Sequence, residues 1–146
     1  MNILISKNFT IEEVQHSSYA FENGLDNVLP SIYYMNAINL ANYILEPLRL
    51  KYGAFSPLSW YRGESVNKGV GGSPNSDHMT ASAVDIRIKG VTPLELAEYI
   101  RDDLSFDQLI LEPTWVHVSH KQFNNNRMQV LTKIGNEYKK GLITCS

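Results

Sequence analysis

Apolar residues return at three- and four-residue intervals through Tyr34, Ala37, Ala41, Ile44 and Leu48, the stripe of a helix packed on a core, so the spacing predicts a helix from Ser31 to about Tyr52 with Gly53 as its stop. Pro47 lies inside that span and brings no amide to the helical ladder, so a kink or break is expected near Tyr43 to Glu46. A shorter helix is predicted to start at Thr10-Ile11-Glu12-Glu13, where the threonine hydroxyl and the glutamate three residues on form a capping box. Thr92-Pro93-Leu94-Glu95 combines the same box with a proline at the first helical position, and Leu96, Ile100 and Leu104 supply the buried stripe of a helix over about 93–103.

Elsewhere the period drops to two. Val84, Ile86 and Ile88 alternate with Ala83, Asp85 and Arg87, as a half-buried strand requires, and Asp85 belongs to the face turned away from the core. Phe106 to Leu111 reads as a second strand. Trp115 to His120 reads as a third, with Val116 and Val118 inward, Trp115, His117 and Ser119 outward, and Glu112-Pro113-Thr114 as the connecting turn. Asp85 and His117 can therefore share one face of an antiparallel sheet. Residues 53–77, rich in Gly, Ser, Pro and Asn, lack periodicity and read as a long loop, a length that in compact domains points to function. The stretch from Arg127 to Ile134 fits a helix or an edge strand equally, with Gly135 and Gly141 punctuating the tail. The expected architecture is a single α+β domain over 1–146, a small antiparallel sheet with helices packed on its other face.

Composition narrows the function classes. With 43% hydrophobic and 19% charged residues the chain can bury a core. A net charge of -2 offers no broad cationic field, which argues against nucleic acid or an anionic membrane as the main partner and leaves a small or neutral ligand. No apolar run reaches membrane-spanning length, and residues 1–8 show neither an apolar core nor a cleavage site for export, so a monomer made in the cytoplasm is expected. Cys145 is the single cysteine; it is expected to be inert, and any metal must use nitrogen and oxygen ligands.

Such ligands are present. Ser76-Asp77-His78 closes the glycine-rich loop, Asp85 follows His78 by seven residues, and His117 comes after a helix and a strand. Two imidazoles and a carboxylate suit catalytic zinc, which takes three protein ligands and keeps a fourth position for water. The same residues also fit a surface histidine beside a solvated aspartate. His16 and His120 are read as bystanders, the first isolated and the second on the inward phase with Val118.

The surrounding pattern, Ser76-x-His78-x-x-Ala81-x-Ala83-x-Asp85, resembles the SxHxxGxAxD signature of the M15 peptidases, the D-alanyl-D-alanine carboxypeptidase and endolysin family. Trp115-Val116-His117 resembles its WxH element, and Ser59-Trp60-Tyr61-Arg62 its SGYR segment. The Gly-Gly-Ser between Asn67 and Ser76 extends the likeness, while Phe9 to Glu13 and Pro47-Leu48-Arg49 are similar to phage-encoded members. There are departures. Ala81 stands for the signature glycine, Trp60 for the second residue of SGYR, and Thr114 where the family commonly carries its acid/base carboxylate, three residues before the last histidine.

The resemblance implies zinc held by His78, Asp85 and His117, with Glu112, the carboxylate nearest His117, as general acid/base. Arg62 would steady the tetrahedral oxyanion or clamp a substrate carboxylate. Ser76 would donate to the substrate or brace a ligand, and Trp115 would line the substrate site or serve only as a packing wall. The implied substrate is a peptidoglycan stem peptide, cut at D-alanyl-D-alanine or between L-alanine and D-glutamate, by a lysis enzyme released through a separate pore or by a virion component. The rival reading is a wall-binding or virion structural module that keeps the fold and has lost turnover.

Overall fold

The box at Thr10 closes as its residues dictate, with the Glu13 amide donating to the Thr10 hydroxyl at 3.3 Å and the Thr10 amide donating to the Glu13 carboxylate at 3.1 Å. It opens α1 (Ile11–Gln15), and α2 (Ser18–Glu22) follows. These elements belong to a computed structural model that describes residues 3–122 and 125–144; Cys145 lies outside them.

The predicted long helix is present as α3 (Tyr34–Leu40), a π-helical turn over Ala41–Leu45, and α4 (Glu46–Tyr52). Pro47 sits in the first turn of α4, and the widened turn before it absorbs both the missing amide and the ring's clash with the carbonyl a turn earlier. The disturbance expected at Tyr43 to Glu46 is therefore a bulge in a helix that continues. Leu40, Ala41, Ile44, Leu45 and Leu48 are fully buried along it. Gly53 ends it at a φ of 90°, a value that suits glycine.

Residues 53–77 are more ordered than their composition suggests. They contain α5 (Glu64–Gly69), which buries Val66 and Asn67. At six residues it is too short for a hydrophobic period to register. A 3-10 turn, Asp77–Thr80, then leads into the sheet.

The sheet has five strands: β1 (Ala83–Ile86), β2 (Gln108–Leu111), β3 (Val116–Ser119), β4 (Gln129–Ile134) and β5 (Glu137–Lys140), in the order β1-β3-β2-β4-β5. α6 (Pro93–Asp103) crosses between β1 and β2 and ends where its pattern predicts. β1, β3 and β2 pair antiparallel, as expected. β4 resolves the ambiguity of the tail by joining β2 in parallel, so the α+β fold carries a mixed sheet instead of a wholly antiparallel one. Long-range pairing of this kind leaves no local signature.

Alternation gives the two faces of the sheet different chemistry. Val84, Ile86, Val116, Val118, Leu109 and Leu111 join Leu96, Ala97 and Ile100 of α6 and the α3–α4 stripe in one core. Opposite them, Asp85 pairs in register with His117, and His117 with Ile110. Helices thus cover one face and leave the other to the site.

Candidate metal centre

Strand register brings the first two candidate ligands together, with His117 Nδ1 3.0 Å from Asp85 Oδ1. The third comes from the 3-10 turn. Ser76 caps that turn by accepting the His78 amide at 3.2 Å, and the His78 ring then lies 5.2 Å from that of His117, centroid to centroid. One ligand atom from each of His78, Asp85 and His117 falls within 4.8 Å of the others.

The turn depends on Ala81, which adopts a left-handed conformation, φ 61° and ψ 20°, while fully buried. Alanine here therefore takes the backbone shape that a glycine would adopt more cheaply. Trp60 braces it, its indole nitrogen donating to the Ala81 carbonyl at 3.1 Å.

Trp60 also orients the third candidate, His78. Its carbonyl lies 2.6 Å from His78 Nδ1, a contact that requires the proton on Nδ1 and leaves Nε2 as a lone pair. That Nε2 is buried and makes no hydrogen bond, yet it faces Asp85 Oδ1 at 3.3 Å. Two electron-rich atoms aimed at each other in a buried site call for a cation between them. Burial favours the neutral form of His78 over the opposing pull of Asp85, which keeps the lone pair available. Burial pushes the Asp85 carboxyl up, but its contacts with His117 and His78 together more than offset that, and the group sits well below the ordinary carboxylate range. A neutral imidazole and a firm carboxylate fit a divalent metal.

Arg62 holds the other oxygen of Asp85. The Ser59 carbonyl accepts the Asp85 amide at 2.8 Å, so residues 58–59 lie along the free edge of β1 and deliver Arg62 beside the carboxylate. Its Nη2 donates to Asp85 Oδ2 at 3.1 Å, its Nε to Ser59 Oγ at 3.1 Å, and its Nη1 to Asn67 Oδ1 at 3.4 Å. Arg62 thus orients a candidate ligand while still lining the cleft. Asn67, read only as part of a resembling stretch, does more than its sequence context signals: its side chain also donates to the Ser73 carbonyl at 2.8 Å. A Cβ added at Gly72 would fall 2.1 Å from Asn67 Oδ1, so the glycine lets the loop close on that amide.

The cleft, roughly 520 Å³, gathers Ser76, Arg62, Trp115 and Glu112 around the three candidate ligands. Glu112 stands just past β2, its amide donating to the Trp115 carbonyl across a two-residue turn. Thr114, at the tip of that turn, is exposed and turned out of the cleft. Glu112 Oε2 is buried without a partner, and burial raises the carboxyl above its usual range, with Lys133 pulling the other way. A cleft carboxyl whose protonated form is favoured in this way suits an acid/base role.

The bystanders lie elsewhere. His120 stacks on Tyr43 at 4.8 Å with its Nδ1 buried and unpartnered. Burial lowers its affinity for a proton, as it does for His78. As pH falls through about 6.5 the unfolded chain takes up these protons before the folded one, so stability is full above that pH and is lost below it until the folded values are passed. The metal-free protein should therefore melt at a lower temperature at about pH 5.5 than at about pH 7.5. His120→Phe, which keeps the stack, should flatten that dependence in a calorimetric series; an unaltered slope would show that His120 contributes nothing to it.

A metallopeptidase centre is the class this arrangement defines. The family model for Peptidase M15 matches residues 7–119, which is most of the chain and all of the candidate ligands, and the protein belongs to that family. No curated protein matches the sequence. No helix among the described residues is long and apolar enough to cross a membrane.

Proposed function

We propose that this M15 peptidase is a zinc enzyme that hydrolyses an amide bond in bacterial peptidoglycan stem peptides, at D-alanyl-D-alanine or between L-alanine and D-glutamate. The observation that carries the reading is the meeting, in one cleft, of a metal-ready set, His78, Asp85 and His117, with the unpartnered Glu112 Oε2.

When bound, zinc supplies a water of pKa about 7 and polarises the scissile carbonyl. Glu112 Oε2 takes a proton from the attacking water and hands it to the leaving amine. Arg62, held by Asp85 and Ser59, keeps Asp85 Oδ2 engaged so that Oδ1 stays turned toward the imidazoles, and its charge faces the developing oxyanion. Trp60 keeps His78 in the tautomer whose Nε2 can bind a metal. Ser76 holds the turn that carries His78, and Trp115 forms a wall of the cleft.

The rival, a wall-binding module without turnover, drew on Ala81 and Thr114. Ala81 keeps the left-handed turn and Glu112 occupies the cleft that Thr114 leaves, which favours the enzyme. The protein should take up about one zinc per chain. Mass spectrometry of digested peptidoglycan should show released D-alanine or a new D-glutamate amine. Zinc bound with no bond cut would leave the binding module as the answer.

A further inference from the structure

The ligand-bearing side of the cleft comes from the stretch that matches the family, whereas the opposite wall comes from the β4–β5 hairpin, beyond residue 119. Leu131 and Lys133 share the site face of β4, because Leu131 pairs with Ile110, the neighbour of His117. Lys133 pairs in turn with Tyr138 of β5, its Nζ 5.8 Å from the ring centroid. All three line the cleft.

Lys133 differs from the other cations near the site. Arg62 is matched by Asp85 at 3.1 Å, and Lys121 by Asp77. Lys133 is partly buried and, among the described residues, no carboxylate lies within ion-pair distance of its ammonium. Its ammonium has the face of Tyr138 and a longer-range attraction to Glu112, and an anionic group entering the cleft would give it the close partner that Arg62 and Lys121 already have. Its position across the cleft from Arg62 separates a second point of anionic recognition from the reacting centre.

We propose that Lys133 is a specificity-determining residue that binds a substrate carboxylate which takes no part in the cleavage itself. The inference rests on the peptidase reading for its substrate class. A strand residue with a short route to the cleft suits this role, since the sheet holds its backbone and only the ammonium must adjust.

The test uses two synthetic stem peptides that differ at one group, the α-carboxyl of D-glutamate being free in one and a carboxamide in the other. The zinc-loaded protein should favour the carboxylate peptide in kcat/KM by about ten- to hundredfold, the range of a charge-assisted contact. Lys133→Met should bring that ratio close to unity, chiefly through KM of the carboxylate peptide, and Lys133→Arg should keep most of it. An unchanged ratio in Lys133→Met overturns the inference. So does an equal loss on both peptides with a shift in the acidic limb of the pH profile, which would mean that Lys133 acts only through Glu112. Binding of the same peptides to zinc-loaded Glu112→Gln separates this claim from catalysis. Tighter binding of the carboxylate peptide, with no turnover by the parent, would sink the peptidase reading and leave Lys133 in its role. Equal binding, or none, overturns the inference whatever the turnover.

Discussion

Glu112→Gln should abolish nearly all turnover while leaving zinc in place. The amide matches the carboxylate in shape and cannot accept a proton, and the loss of a positioned acid/base group costs about a hundred- to ten-thousandfold in rate. Glu112 belongs to no candidate ligand set, and its Oε2 makes no hydrogen bond whose loss would disturb the fold. Metal content by atomic absorption should therefore stay at about one per chain while peptide cleavage falls. Near-normal cleavage would move proton transfer to another group, of which Asp77 is the remaining cleft carboxylate outside the candidate ligand set.

His117→Ala should fail differently, losing metal and turnover together. It removes one of the three candidate ligands and leaves Asp85 Oδ1 facing His78 alone, so zinc affinity should fall by about three orders of magnitude or more. Arg62→Met is the informative control, since it removes the partner of Asp85 Oδ2 and no ligand. Its affinity should fall only about ten- to hundredfold, as for residues that orient a metal ligand. Competition with a chelator of known affinity ranks the three proteins. A His117→Ala protein that holds zinc as tightly as its parent would remove the histidine from the centre.

Alternation alone puts Asp85 and His117 on the face away from Val84 and Val116, and the structure keeps that assignment. That the two stand opposite each other, across 32 residues of chain, depends on how α6 and the core pull β1 against β3. Ala81 illustrates the reverse case. Its identity suggests an altered turn, and only the backbone reveals that it takes the left-handed shape, held by the Trp60 indole.

From local order alone, the capping boxes at Thr10 and Thr92, the stripe of the long helix, the alternation of β1 and β3 and the glycine stop at Gly53 were all determined, because each rests on residues within a turn or two of one another. Tertiary structure alone decided the π-helical turn before Pro47, the parallel pairing of β4, the burial of Glu112 Oε2 and the wall that Lys133 adds to the cleft. It also decided which nitrogen of His78 is free, through a carbonyl 18 residues away, and which oxygen of Asp85 faces the imidazoles, through a guanidinium 23 residues away. A tautomer and a carboxylate's orientation are set by whichever group the closed fold brings within about 3 Å, and chain order carries no measure of that distance.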